Sequence, residues 1–563
     1  MMGILAIGMA MAEPVEVYLL GGQSNMQGIG KLSQLPDGAL RATPNVYFFN
    51  GESFDALKPG ETKTSARAGE LGPELGFAMN HQSEQPVYLI KFAASGMPLD
   101  FGWNGNQWLG AADGKARVNF YPGSKASDPV QGRLYKRMLN QFQKGIAAIK
   151  AKGDTPVIKG FLWMQGEQDS KNEASAGRYA ANLKLLQARL SEDLAVERLP
   201  MVYGQVLPHE PALPRFTHRT VIRDQMAAGD AGSGRPEAIV NAAMVSTDGF
   251  PILKDTVHYD AEGQLMLGKA MAEKMAMLQN FGEKVELWSG QVPGFPADYQ
   301  HQAHTQQDPE HITEVSKPFL RVFPAMGRPT GQAIIIFPGG GYRVLADLKE
   351  GDRVGAYYAA RGITCFVVRY RVTRGNHPGF RFPGPLLDAR QGIRLAKQSA
   401  EKFGFDPKKV GVIGFSAGGH LASMCATLFD EKFEGEPDSD ISPRPAFAGL
   451  IYPVTSLISK TGHGGSRVAL MGKSATEKEL QAVSPELQIK SGYPPLFLAQ
   501  TQFDFVNSND TLTLAQAAMA AKVPCETHIF PGKDHGFGMG RKGSTGPETT
   551  WPELFEAFLK RLP

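Results

Sequence analysis

A serine with glycines two residues to either side, Gly414-Phe415-Ser416-Ala417-Gly418, is the first candidate for chemistry in this chain. It follows the apolar run 410–413 directly and precedes GGHLASM, a small-residue helix start. Glycines in those places let a strand and a helix meet at a sharp corner, with the serine hydroxyl projecting from the turn. The bare pattern is weak in a chain with 64 glycines, and its position at a strand–helix junction gives it weight. Asp504 follows the apolar run PLFLAQ, and His535 lies in KDHGFGM beyond the run THIF. Nucleophile, acid and base in that chain order suit acyl transfer through a covalent acyl-serine. Asp534, beside the histidine, and Asp510, further from the strand end, are rival acids. Pro338-Gly339-Gly340-Gly341-Tyr342 follows the run 334–337, where a loop can turn N–H groups toward a developing oxyanion. Gly340, Gly341 and Ala417 are the candidate donors, and Tyr342 is a candidate substrate-binding residue.

A second set lies in the first half. Gly22-Gln23-Ser24-Asn25-Met26 follows the apolar run 15–20, at the strand end where doubly wound sheets bind ligands. A Ser-Asn turn alone is often no more than an N-cap. Its companions carry more weight. Lys91-Phe92-Ala93-Ala94-Ser95-Gly96 ends a second apolar run with a glycine able to expose its N–H. Gln165-Gly166-Glu167 ends a third and supplies an amide and a carboxylate at the same sheet edge. Asp255-Thr256-Val257-His258 closes the set, with an aspartate about one helical turn before a histidine it can orient. Trp103 and Trp108, in FGWNGNQW, are candidate substrate-binding faces for sugar stacking, although core packing is the commoner use of tryptophan.

Elements must bring these residues together. Short continuous apolar runs at 15–20, 87–92, 158–163 and 201–206 predict buried parallel strands. Helical spacing at 134–150 and 176–194 predicts the helices between them. The segment 281–332 is rich in Pro, Gln and His and lacks periodicity. AIIIF, CFVVRY, KVGVIGF, GLIYPV and PLFLAQ then resume the strand pattern, with helices at 386–403 and 550–562. Both halves are therefore α/β, without a repeated sequence period.

The whole-chain numbers exclude other classes. At 563 residues the chain has length for two large domains. Its 42% hydrophobic and 20% charged residues fit a globular protein, not a disordered or fibrous one. With 59 Lys+Arg against 56 Asp+Glu, the net charge of +3 and the absence of like-charge runs draw it to neither nucleic acid nor membrane. Cys365, Cys425 and Cys525 lie singly in apolar contexts and read as buried thiols. His301, His304 and His311 sit in the aperiodic segment without metal-ligand spacing, so neither metal nor cofactor is expected. The apolar start MMGILAIGMAMA, ending Ala10-Met11-Ala12, reads as the tail of a secretory signal and implies a secreted or periplasmic location.

The four N-terminal blocks resemble the SGNH-hydrolase superfamily, specifically its sialate O-acetylesterase and carbohydrate esterase family 6 acetyl-xylan esterase group, over roughly residues 15–280. That resemblance implies a three-layer, flavodoxin-like domain with Ser24 as nucleophile, His258 as base and Asp255 as its orienter. It also implies an oxyanion hole from the Ser24 and Gly96 N–H groups and the Gln165 amide, with Glu167 organising the loop. Ser95-Gly96 stands where relatives often show two glycines. From ELWSGQVPG to DHGFGM, roughly residues 284–563, the chain is similar to α/β-hydrolase esterases of the bifunctional acetyl-xylan/feruloyl type. There FPGGGY has proline where many relatives have histidine. The expectation is an SGNH-type domain over 13–283 and an α/β-hydrolase domain over 284–563, the latter with a Pro-rich lead-in over 284–330. Two independent Ser-His-Asp sites would then deacylate a polysaccharide or oligosaccharide such as acetylated xylan, with feruloyl as a further acyl group. A single esterase domain beside a glycan-binding domain, a sialate O-acetylesterase, and a C-terminal serine peptidase are the alternatives.

Overall fold

The computed structural model describes residues 13–110, 114–210, 213–302, 304–460, 462–540 and 546–562. The leader read at 1–12 lies outside the described residues. Contacts divide the described residues into two compact units, the first built from 13–233 and 237–279, the second from 234–236 and from 280 onward.

The first unit is a seven-stranded sheet of β1 (Pro14–Gly22), β2 (Val46–Phe49), β3 (Phe54–Ala56), β4 (Val87–Ala93), β5 (Thr155–Met164), β6 (Met201–Gly204) and β7 (Ala242–Val245). Their spatial order is β3-β2-β4-β1-β5-β6-β7, parallel except for the edge strand β3. β1 is central, and its neighbours β4 and β5 belong to opposite directions of winding. The loops that leave β1, β4 and β5 therefore meet at one crevice, the switch point where such sheets bind ligands. α1 (Ser24–Gln27) follows β1 at once. Two further helices, α2 (Pro73–Asn80) and α3 (Arg133–Ala151), flank the sheet, and α3 buries Leu134, Met138, Phe142 and Ile149 at helical spacing. α4 (Tyr179–Asp193) and α5 (Arg219–Gly229) follow, and α6 (Ala261–Leu278) starts at Asp260, whose carboxylate accepts the Gly263 N–H at 2.9 Å. α6 lies so close to α2 that a Cβ on Gly268 would stand 2.0 Å from the Pro73 carbonyl oxygen.

The second unit is an eight-stranded sheet of β8 (Glu283–Glu286), β9 (Phe319–Phe323), β10 (Ala333–Phe337), β11 (Thr364–Arg369), β12 (Val410–Phe415), β13 (Ala448–Ile451), β14 (Leu496–Thr501) and β15 (Cys525–Phe530). The order is β8-β9-β11-β10-β12-β13-β14-β15, with the pairs β8–β9 and β9–β11 antiparallel and the rest parallel. Its helices include α7 (Arg353–Ala359), α8 (Gly384–Gln398), α9 (Ala417–Thr427), α10 (Gly464–Met471), α11 (Ser508–Ala520) and α12 (Trp551–Arg561). β8 and β9 fall in the segment read as aperiodic. An antiparallel strand at a sheet edge does not need the continuous apolar run that marks a buried parallel one, so EKVE carries little signal. The same lead-in is tied down at Trp288, whose indole N–H donates to Asp388 at 2.9 Å. Asp388 also receives both Nε and Nη2 of Arg371, at 2.7 and 2.6 Å, with both side chains fully buried. Cys365 and Cys425 are buried and Cys525 is half-buried, all as free thiols. No helix among the described residues is long and apolar enough to cross a membrane.

Candidate active sites

In the first unit the chain turns sharply at Gly22, whose φ of +150° and whose closeness to Met164 leave no room for a Cβ. Ser24 is thereby set at the end of the central strand. Its Oγ lies 2.8 Å from His258 Nε2, and His258 Nδ1 lies 2.6 Å from Asp255 Oδ2. With Nδ1–H donating to the carboxylate, Nε2 is the acceptor for the serine proton. The expected helical turn between Asp255 and His258 is instead a tight loop, with Thr256 at φ +59°. Asp255 Oδ1 accepts the Val257 and His258 N–H groups, each at 3.0 Å, which closes that loop.

Partial burial raises the Asp255 carboxyl, and its bonds to His258 and to the two N–H groups outweigh that effect, holding it below the usual carboxylate range. Asn25 braces the histidine loop: its amide donates to Glu167 Oε1 at 2.6 Å and to Val257 O at 3.1 Å. Desolvation pushes the Glu167 carboxyl up, although the Asn25 bond and His258 favour its charged form. The Ser24 and Gly96 N–H groups have no acceptor within the unit among the described residues, and Gly96, at φ +69°, is exposed.

Gln165 requires a correction. Its side chain is fully buried, and its Nε2 donates to Asp169 Oδ2 at 2.6 Å, with Met97 O and Gln23 Oε1 each at 3.2 Å. The amide protons are already committed, so Gln165 braces the loop after β4 and is no oxyanion donor. Asp169, which no sequence motif singles out, is the hub of that brace. It accepts the Leu99 and Asp100 N–H groups and the Ser175 hydroxyl, at 3.0, 3.1 and 2.7 Å. Desolvation pushes it up to about 7 against these donors.

In the second unit Ser416 sits between β12 and α9 with φ +51°, a strained value for a serine. A Cβ on Gly414 would stand 2.0 Å from Gly418 O, and one on Gly418 would stand 2.1 Å from Phe337 O. Both glycines of the motif are therefore demanded by close backbone approach. Ser416 Oγ lies 2.9 Å from His535 Nε2, and His535 Nδ1 lies 2.9 and 2.8 Å from the two oxygens of Asp504. The rivals drop out: Asp534 points to solvent and Asp510 sits in the first turn of α11. The Gly339 N–H is taken by Glu350 Oε2 at 2.8 Å. Those of Gly340, Gly341 and Ala417 have no acceptor within the unit among the described residues. Gly340, at φ +133°, could not carry a Cβ, which would stand 2.1 Å from Val344 O.

The aromatic expectations divide. Tyr342 is 2% exposed and turns its hydroxyl into the core, 2.8 Å from His420 Nδ1, so it offers only a sliver of surface to the cleft beside Arg343. The outward aromatics are Phe503 and Phe505, 69% and 68% exposed on either side of Asp504. The Phe505 ring centroid stands 4.5 Å from that of His535 and 5.9 Å from that of His463. Trp103 and Trp108 face each other across an isolated bridge, centroids 5.2 Å apart and both partly exposed. No group of three or more His, Cys, Asp or Glu placed to hold a metal occurs among the described residues.

Residues 14–277 match the family described as carbohydrate esterase, sialic acid-specific acetylesterase, and residues 334–539 match the alpha/beta hydrolase fold family. An acetylxylan esterase of Xylanibacter ruminicola is 33% identical over 239 residues, 42% of this chain and 45% of that protein. An endo-1,4-beta-xylanase B of Butyrivibrio fibrisolvens is 33% identical over 205 residues, 36% of this chain and 32% of that protein. The crystal structure of an acetyl ester-xyloside bifunctional hydrolase from Caldicellulosiruptor lactoaceticus is 33% identical, with a TM-score of 0.43 and coverage of 50% of this chain and 96% of that one. The chain spans less than half the length of these two curated relatives.

Proposed function

We propose that both halves hydrolyse esters, the first matching the family of sialic acid-specific acetylesterases among carbohydrate esterases and the second that of the alpha/beta hydrolase fold. The substrate is an acetylated polysaccharide or oligosaccharide such as acetylated xylan, as the names of the relatives suggest. Action on a polymer puts the work outside the cytoplasm, in a secreted or periplasmic protein. The two esterase domains are 13–283 and 284–563.

Each site runs the same chemistry. The serine oxygen of Ser24 or Ser416 attacks the ester carbonyl while His258 or His535 takes its proton. Asp255 and Asp504 hold the imidazoles in the tautomer that accepts at Nε2 and offset the charge that forms. The oxyanion meets N–H groups of Ser24 and Gly96 in one unit and of Gly340, Gly341 and Ala417 in the other, each such donor contributing about 3 kcal/mol. The bond to the sugar oxygen breaks, and the histidine returns its proton to that oxygen. Water, deprotonated by the same histidine, then releases the acid and frees the serine.

The observation that carries this reading is a serine–histidine–aspartate chain in each unit with every hydrogen bond at 2.9 Å or shorter. The exposed faces of Phe503 and Phe505 support acceptance of a feruloyl group at Ser416. A serine-directed fluorophosphonate tests the two-site reading by intact mass. The expected result is two adducts on the parent chain, one on Ser24→Ala, one on Ser416→Ala and none on the double variant. A single adduct on the parent chain would reduce the protein to one working site.

A further inference from the structure

Beyond Gly341 the second unit holds a cleft of about 410 Å³ whose walls carry Arg343, Arg374, Arg381 and Lys473, with Asn376 and Ser474. That volume lies in the ordinary range of small-ligand sites, about 300–1,000 Å³. No carboxylate lines it. Glu314 is turned to two residues of its wall, accepting from the Thr373 hydroxyl at 2.6 Å and the Arg374 backbone N–H at 2.9 Å. Arg374 and Arg381 hydrogen-bond the neutral side chains of Gln307 and Asn376. No carboxylate pairs with Arg343 or Lys473 among the described residues, and both are exposed. Four cations sharing one concave wall raise a positive potential that the same wall does nothing to neutralise.

The cleft adjoins the ester site through the chain itself. A Cβ on Gly339 would lie 2.9 Å from the Ser416 Cβ, and Arg343 follows only four residues later. Four Cα steps of 3.8 Å bound the separation at about 15 Å, which a few sugar residues span. On the other side, His463 and Ser466 border Gly341, and α10 runs from them to Val468 and Ala469 in the cleft wall.

We infer that this cleft is a subsite for a carboxylate-bearing sugar, a uronic acid residue near the scissile ester on the same glycan. The inference rests on the reading of Ser416 as an ester-hydrolysing serine. Guanidinium forks match a planar carboxylate, and the amide and hydroxyl groups beside them suit sugar hydroxyls. Neutral apolar acyl groups gain nothing from such a wall. Its contribution is to select which stretch of polymer presents its ester to Ser416.

The test uses the full chain with Ser24→Ala, so that turnover reports Ser416. The probes are acetylated xylo-oligosaccharides with a uronate branch, and the same oligosaccharides with that carboxyl reduced to an alcohol. The acidic probe is expected to have a kcat/KM about tenfold above the reduced one at low salt, as one charge-assisted contact provides. In 1 M NaCl, where the Debye length is about 3 Å, the ratio should shrink. Arg343→Ala with Lys473→Ala should bring it to about one, whereas Arg343→Lys should keep most of it. A ratio of one in the parent, or a ratio that the double substitution leaves unchanged, would overturn the subsite while Ser416 stands. Undiminished turnover after adding Ser416→Ala would overturn the ester site and the subsite together.

Discussion

The Tyr452 hydroxyl donates to Glu350 Oε1 at 3.0 Å, and through this bond the two loops that flank Ser416 are joined. Glu350 Oε2 holds the Gly339 N–H of the oxyanion loop, and the Tyr452 oxygen accepts the Gly538 N–H of the histidine loop at 2.9 Å. The Tyr452 ring lies 4.9 Å from that of His535, and desolvation raises its hydroxyl well above the usual range, so it remains a donor. Both members are positioning residues.

Tyr452→Phe leaves Glu350 Oε1 and the Gly538 N–H unpaired in a buried place, at a cost of about 1–3 kcal/mol. In a Ser24→Ala chain we expect kcat on an aryl acetate to fall about tenfold with KM nearly constant, as for loss of orientation without loss of binding. A raised KM with unchanged kcat would contradict the positioning role.

Phe505 stands at the mouth of the same site with its outer face free. Phe505→Ala should lower kcat/KM for a feruloyl ester by about tenfold or more and for an acetyl ester far less, because only the aromatic acyl group has a face to stack. Paired rate measurements on the two esters decide this. Equal losses would mean that Phe505 serves only to pack His535.

His420 offers a pH test of stability. Burial lowers it to about 4; its ring lies 2.8 Å from Val483 O through Nε2 and 2.8 Å from the Tyr342 hydroxyl through Nδ1. The folded value is below the ordinary histidine value, so the unfolded chain takes up the proton first as pH falls. The stability it contributes is complete above about pH 6.5 and is lost between there and pH 4. Chemical denaturation at pH 7.5 and 4.5 should show His420→Asn losing about 2–3 kcal/mol less than the parent across that interval. An identical loss in both would show that His420 does not titrate on unfolding.

Much of the fold and of both sites is legible in the sequence, for a physical reason. A parallel strand covered on both faces must be apolar throughout, so the runs ending at Ser24, Gly96, Ser416 and Asp504 announce both strand and site. That Arg371 and Asp388 form a buried pair depends on packing across the fold. The edge strands β3 and β8 give no such signal, because an edge tolerates polar residues and short length. Glu350 and Asp169 carry no motif, since what makes each a hub is where its neighbours' N–H groups fall. Gln165 misleads because its amide reaches the crevice region, and Asp169, one turn later, captures it. Tyr342 is legible as an aromatic beside a glycine run, but that His420 draws its hydroxyl into the core depends on packing. Phe503 and Phe505 do leave a trace, as two aromatics bracketing the candidate acid.

The central claim is that this chain carries two working ester sites, and acetate release from acetylated xylan measures it most directly. The parent, Ser24→Ala, Ser416→Ala and the double variant are compared under one set of conditions. The account predicts that each single variant retains part of the activity and that the double variant falls by about 10³-fold or more, the scale of losing a triad serine. Loss of all turnover in either single variant on every ester tried, or turnover surviving in the double variant, would contradict it.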